Sequence, residues 1–495
     1  MSTASIMDAC RHGHAALARR SVPLRRLLVV LLVLGSSGGC RTPPPPKLRR
    51  QVDLAAKRRV IVSVESTRVR QGAGARTAPN TVSLVQGELD EAAVAQIALI
   101  NNPGLAAEYA NLGIARPVLL RAGQYSNPTV ETSELFGDGQ SHIVDMKAAH
   151  DIVHLALLPR RRQSDAQLFD AAKVRLCSRI MGVAHEARST FIEYQTAGVL
   201  LEQERKLADD RATAMDAARG MAEKGKIPAA ELAVLEQRCH ATQLALAVLQ
   251  VDARGKRATV NRVLGLHEDT EWKAQPAGNS VVATISISAE SADRRTLDAS
   301  LELAAQRSEI VALARQCGVE QTKLFVPELK VGVDSEREPD GAWAVGPALV
   351  LTVPLFDQGR RPRAAVDSQM LACWNRYVQT AVAIASATRA ALTRMDAGQQ
   401  ALWTQLEEVV PLSRKALQET LQQHNSMLAG VFDVLRAQEQ EIQARARLAE
   451  LKREYRLAYL DLQYLLAGGE PAEGTSAGST PHSTAFRRTL AQVRQ

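Results

Sequence analysis

Aromatic side chains are scarce, with Phe, Trp and Tyr together only 4% of the 495 residues. No basic stripe interleaved with stacking aromatics exists, which argues against nucleic-acid binding. After residue 40 the chain lacks any run of about 18 apolar residues, so no transmembrane helix is expected in the mature protein. The six cysteines (Cys10, Cys40, Cys177, Cys239, Cys317 and Cys373) form no C-x-x-C pair and no regular spacing. They indicate neither a disulfide framework nor a zinc site. No G-x-S-x-G elbow and no phosphate-binding glycine loop occur. His150-Asp-Ile-Val-His154 differs from the zinc-protease H-E-x-x-H by its Asp and by its strand-like setting, because that motif needs both His on one helix face. An enzyme is not expected, and neither a metal nor another cofactor is. The formal charge of +8 is unremarkable for this length.

What is present begins with an export signal. A basic region ending at Arg25-Arg26 precedes the apolar run 27–34, then small residues and Cys40. This is similar to a bacterial lipoprotein signal, although Ser37 stands where such signals prefer Leu. The resemblance implies that Cys40 is acylated (a palmitate-type anchor) after residues 1–39 are removed. Each buried CH₂ of such a lipid contributes about 0.8 kcal/mol to membrane affinity. The Arg-Thr-Pro-Pro-Pro-Pro stretch at 41–46 reads as a stiff extended tether. The segment 40–87 is otherwise irregular, with one short strand-like piece at 60–64.

From residue 88 a pattern runs once and then again. A capped helix comes first, with Asn102 as cap and Pro103 in the first turn. Pro117 predicts a kink in it. Strands are expected at about 129–136 and 147–158, joined by a loop around Gly137-Asp-Gly-Gln. A long helix follows over 164–222, with Ile180, Ala187, Tyr194, Leu201, Ala208, Met215 and Ala222 at strict sevens. Glu223-Lys-Gly-Lys-Ile-Pro228 breaks it, and a second heptad helix carries Leu232, Cys239, Leu246, Ala253 and Val260. Strict sevens impose supercoiling, so the pair reads as a coiled-coil hairpin. The stretch 267–296 reads as an inter-repeat linker with a strand-like run at 281–287. The second copy then has a helix at 297–323 and strands at about 327–336 and 343–355. A helix over 363–423, bent at Pro411, leads to a turn at 424–428 and a last helix over 431–466. At a spacing of 200, Asn425 falls on Gly225, and Asn suits the same left-handed turn. Residues 467–495 are Gly-, Ser- and Thr-rich and are expected to be disordered.

On the strand 343–355, Trp343, Val345, Leu349, Leu351, Val353 and Leu355 share one parity. Ala344, Gly346, Ala348 and Thr352 share the other, with Val350 the exception. Bulky residues therefore lie on one face and small ones on the opposite face. Trp343 is the only Trp or Tyr inside a predicted strand, which is few for the aromatic girdles usual in membrane barrels.

Three stretches carry a family resemblance. Pro354-Leu-Phe-Asp-Gln-Gly-Arg-Arg361 is similar to the strand-to-helix junction of the TolC-like outer-membrane efflux proteins. Ala98-Leu-Ile-Asn-Asn-Pro-Gly-Leu105, followed by a helix and Asn127-Pro128, resembles a second motif of that family. Asn261-Arg-Val-Leu-Gly265 resembles the closure of its hairpins. The first copy lacks the Phe-Asp-x-Gly turn. The resemblance spans about 88–466 and implies two outer-membrane efflux repeats, 88–266 and 297–466. The implied fold is mainly α with a small β part, in two tandem repeats of helix, strand, strand, long helix, long helix. Four strands cannot close an open barrel, and an unpaired sheet edge is not tolerated in lipid. The resemblance supplies three copies: a homotrimeric 12-stranded outer-membrane β-barrel continued by a periplasmic α-helical coiled-coil barrel.

The function so implied is a passive conduit in a tripartite efflux or type I secretion system. Its seat is the outer membrane of a Gram-negative-type bacterium, lipid-anchored, with the helices in the periplasm. The partners implied are further copies of the chain, a periplasmic adaptor, an inner-membrane pump and outer-membrane lipid. The adaptor-contact tips would be Gly225, Lys226 and Ile227 in the first hairpin, and Asn425, Ser426, Met427 and Leu428 in the second. The competing readings are a periplasmic adaptor lipoprotein, which has one hairpin and more β-domains, and a non-channel coiled-coil scaffold.

Overall fold

The computed structural model describes residues 87–122, 124–136, 142–276, 287–337, 341–353 and 360–471. The signal and Cys40, the strand-like piece 60–64, the 137–141 loop, the Phe-Asp-Gln-Gly turn and the tail beyond 471 lie outside the described residues, as does the run 281–287 apart from Ile287.

In chain order the first half comprises β1 (Glu88–Leu89), α1 (Glu91–Asn101), α2 (Pro103–Ala122), β2 (Thr129–Phe136), β3 (His142–Asp151), α3 (Ile152–Glu223) and α4 (Ala229–Leu264). After β4 (Lys273–Ala274) come α5 (Ala289–Ala299), α6 (Leu301–Phe325), β5 (Glu328–Arg337), β6 (Trp343–Thr352), α7 (Arg360–Thr404), a π-helical turn (Gln405–Val409), α8 (Val410–Asn425) and α9 (Val431–Leu466). The same order of helices and strands thus appears twice. The stretch 267–296, expected as a linker, contains β4 and most of α5.

Each half opens on a broken helix whose break is capped. The Asn102 Oδ1 accepts the Leu105 N–H at 3.1 Å, and the Ser300 Oγ accepts that of Leu303 at 3.3 Å. Asn102 does more than cap. Its Nδ2 donates to the Val263 carbonyl, while the Asn101 Nδ2 donates to the carbonyls of Leu264 and Gly265. The Asn-Asn-Pro motif therefore satisfies the orphan carbonyls where α4 ends. Gly265 lies in the left-handed region (φ 64°), and a Cβ there would come 2.6 Å from the Asn101 carbonyl oxygen. Asn261, one turn earlier, accepts the Trp272 indole N–H at 2.7 Å. Trp272 is packed edge-on against Tyr194 and under Arg257.

The second strand of the first half differs from its expected range. The strand runs His142–Asp151, not 147–158, and α3 begins directly at Ile152. Asp151 decides the boundary: its side chain accepts the His154 N–H at 3.1 Å and caps the helix. The apolar residues at 152–158 satisfy helical spacing as well as alternation, and Leu157 and Leu158 are buried as helical residues. Pro159 is accommodated inside α3. In the second half the strands run Glu328–Arg337 and Trp343–Thr352, so the last ends before Val353.

At 72 residues, α3 is roughly 110 Å long at 1.5 Å per residue. It packs along α4, α6 and α9. Where α5, α7 and α9 meet, Ala292, Leu392, Met395, Leu451, Tyr455 and Leu462 form a buried cluster. No described helix is long and apolar enough to cross a membrane.

Candidate functional site

Four strands form one antiparallel sheet in the order β2-β3-β5-β6. The β3–β5 pairing joins the two halves, from Val144 opposite Arg337 to Asp151 opposite Lys330. The outer edges of β2 and β6 have no strand partner among the described residues. Register and pleat assign the side chains to two faces of different character. One face carries Val130, Met146, Leu329, Val331, Val333, Trp343, Val345, Leu349 and Leu351. These residues are largely exposed, Val345 and Leu349 each at 68%. The other face carries Glu131, Asp145, Lys147, Asp151, Glu328, Lys330, Asp334 and Glu336, with Ala344, Gly346 and Ala348 beside them on β6. Val350 and Ile143 are apolar exceptions on this face. The apolar face is thus largely exposed, and the charged face is mostly half-buried.

The helices end in two turns of one geometry. In the first hairpin Lys224 has φ −90° and ψ 7°, and Gly225 has φ 68°. In the second Ser426 has φ −90° and ψ 8°, and Met427 has φ 60°. The bonds match as well. Gly225 and Lys226 donate to Ala222 and Met221, while Met427 and Leu428 donate to His424 and Gln423. Each is a Schellman closure. The left-handed residue of the second turn is therefore Met427, not Asn425, which is the last residue of α8. The two tips correspond at a spacing of 202, Gly225 with Met427, rather than 200. Met427 is the only non-glycine residue with positive φ among those described. Met427 and Leu428 are almost fully exposed, at 96% and 82%.

Near the tips α9 is tied to the first hairpin through Arg211. Its guanidinium pairs with Glu439 at 2.6 Å, donates to the Arg238 carbonyl at 3.1 Å and meets the Thr242 hydroxyl. Gln438 donates to Asp210 at 2.7 Å. A cleft of about 260 Å³ lies alongside, lined by Leu207, Met215, Val234, Leu235 and Phe432 together with these charges. Burial pushes the half-buried Glu204 carboxyl above the usual range; Arg211 opposes that shift and Glu439 adds to it. Burial, then the neighbouring Asp209, does the same to Asp210. A raised carboxyl favours the folded seam in its protonated form. That contribution is complete below the ordinary carboxylate range and is lost as pH rises through the raised values. The seam contribution should therefore be larger just below the ordinary carboxylate range, at about pH 3.5, than at about pH 8. Glu204→Gln should flatten that dependence, and an unchanged pH profile in the variant would refute the assignment.

Several solved structures share this architecture. CmeC of Campylobacter jejuni, described as an outer membrane channel, superposes with a TM-score of 0.63 at 12% identity, over 86% of this chain and 98% of CmeC. The open-state MtrE outer membrane channel of Neisseria gonorrhoeae gives 0.61 at 13% identity, over 82% and 96%. The outer membrane protein VceC of Vibrio cholerae gives 0.61 at 16% identity, over 76% and 95%. This is the outer-membrane channel fold. No family model matches the sequence, and no curated protein does.

Within the channel fold, the tip residues read from the sequence fall at one end of the helices. Gly225 and Lys226 are exposed and Ile227 half-buried; Ser426, Met427 and Leu428 are exposed. Cys40 lies outside the described residues. The bonds from Asn101 and Asn102 to the end of α4, and the Arg211 seam, were not legible in the sequence. They join residues more than 160 and 220 positions apart respectively, and neither local spacing nor heptad pattern reports such pairs.

Proposed function

We propose that the chain is the outer-membrane channel of a tripartite efflux or type I secretion system. It passes solutes passively from a periplasmic adaptor and an inner-membrane pump to the outside. The observation that carries this reading is the two-faced sheet, apolar on one side and charged on the other, continuous with very long helices. Its two open edges would be unsatisfied in lipid. Three copies, each adding four strands, would close a 12-stranded barrel, and α3, α4 and α7–α9 would extend its wall into the periplasm. Acylation of Cys40 would anchor the chain to outer-membrane lipid. The tips around Gly225, Lys226 and Ile227, and around Met427 and Leu428 with Ser426 and Asn425 just before them, would meet the adaptor.

The full chain should fractionate with the outer membrane. Unheated, it should migrate as an oligomer that boiling converts to the 53.6 kDa chain, less any signal removed. Reconstituted, it should conduct ions across planar bilayers. A water-soluble monomer without conductance would refute the proposal.

A further inference from the structure

Where the sheet gives way to the helices, cations outnumber carboxylates. Side-chain bonds set parts of α3 and α6 at one level there. The Ser164 hydroxyl donates to the Ala312 carbonyl at 3.0 Å, Arg315 donates to the Gln163 carbonyl at 2.9 Å, and Arg160 donates to the Thr322 hydroxyl at 3.4 Å. The start of α7 joins them, since the Cys317 thiol meets the Asp367 carboxylate at 3.6 Å. Within this collar α3 contributes Arg160, Arg161 and Arg162 against Asp165. From α6 come Arg315 and Lys323 against Glu320, and from α7 Arg361 and Arg363 against Asp367. Seven cations thus stand against three carboxylates.

Two independent observations point to a ligand outside the chain. The first is that α7 opens on arginines and has no acid in its first turn. Cations at a helix start oppose its dipole, and an anion held there relieves the conflict. The second is that each half places an exposed ring shortly before its first long strand. Tyr125, four residues ahead of β2, is 69% exposed, and Phe325, three residues ahead of β5, is 81% exposed. The Arg162 guanidinium lies over the Tyr125 ring, 5.9 Å from its centre. Both rings adjoin the end of the sheet whose apolar face is exposed, and rings so placed mark the level of lipid headgroups.

We propose that this collar binds anionic phospholipid, its arginines holding headgroup phosphates and its rings resting among the first acyl carbons. The proposal rests on the channel reading above and names the lipid that the sheet recruits on its helix side. Guanidinium groups pair phosphate oxygens through two parallel bonds, and basic clusters beside a membrane segment attract anionic headgroups.

The test reconstitutes the full-length protein in bilayers of equal parts phosphatidylglycerol and phosphatidylcholine. The oligomer is then extracted in mild detergent and the lipid that stays bound is measured. Phosphatidylglycerol should be enriched several-fold over phosphatidylcholine. The enrichment should shrink on extraction near 1 M salt, where the screening length falls to about 3 Å. The triple variant Arg160→Gln, Arg162→Gln, Arg361→Gln should lose most of it. Asp367→Asn, which releases Arg363 from a pair at 3.8 Å, should raise it and guards against a triple variant that fails to fold. An unchanged enrichment in either variant overturns the proposal. Equal retention of the two lipids by the wild type overturns it as well and leaves the channel reading standing. Displacement of the bound phosphatidylglycerol by inorganic phosphate alone would assign the collar to free anions and overturn it too. Recovery of a water-soluble chain that enters no bilayer overturns the channel reading and this proposal together.

Discussion

Replacing Gly332 by valine is expected to unzip the sheet between its two halves. Gly332 faces Ala149 in the β3–β5 pair. A Cβ there would sit on the Ala148 carbonyl oxygen, 2.7 Å from the Ala149 Cα and 2.8 Å from the Ala148 carbonyl carbon. These are backbone atoms, held on their other side by β2, so they have nowhere to go. The strand must shift or the pairing must fail, at a cost above about 3 kcal/mol. Since β3–β5 is the pairing that links the two hairpins, its loss leaves two isolated two-stranded ribbons, which are marginal at best. The β-signal in infrared or circular dichroism spectra should fall, and the unheated oligomer band should disappear. Gly346→Val on β6 is the control. Nothing lies within 4 Å of its missing Cβ, so its effect should be small. Equal behaviour of the two variants would refute the close-approach argument.

The second large effect separates two glycines of the same conformation. Gly225 and Gly265 have φ 68° and 64°. Nothing lies within 4 Å of a Cβ at Gly225, whereas one at Gly265 meets the Asn101 carbonyl oxygen at 2.6 Å. Gly225→Ala should therefore show only the left-handed penalty, about 1–2 kcal/mol. Gly265→Ala adds a backbone clash and loosens the Asn101 bonds that close α4, so its total should exceed about 3 kcal/mol. Met427 shows that the tip geometry admits a side chain, and Met427→Gly should stabilise by roughly 0.5–1 kcal/mol. Urea unfolding midpoints of the three variants would check the order. A Gly265→Ala cost no larger than that of Gly225→Ala would remove the packing explanation.

Much of the architecture was readable because it is periodic. The sevens from Ile180 to Ala222 and from Leu232 to Val260 set the hairpin, and the parity around Trp343 set the face of β6. Reading ran short where two patterns fit one stretch. The apolar residues at 152–158 alternate and also recur at helical spacing, and the cap formed by Asp151 settles the matter through a bond that no periodicity reports. It ran short again where alignment relied on residue type. Asn425 is chemically better suited to a left-handed turn than Met427, yet the helix runs to Asn425 and the turn geometry falls two residues later. The surplus of carboxylates on one sheet face could not be read at all without the register. Asp145 meets Glu336 across a gap of 191 positions, and parity within single strands does not say which faces align.

The wide turn at Gln405–Val409 has a consequence for how the two rods finish. The ends of the strands that precede the long helices, Asp151 and Thr352, are 201 positions apart, whereas the ends of the helices leading to the tips, Glu223 and Asn425, are 202 apart. From the strand end to the end of the helix at the tip, the second half is thus one residue longer. A π-helical turn absorbs one residue without adding a full step of length, so both hairpins can terminate flush. The bulge lies just ahead of Pro411, so the one-residue difference between the halves can be taken up within the helix rather than at the tip.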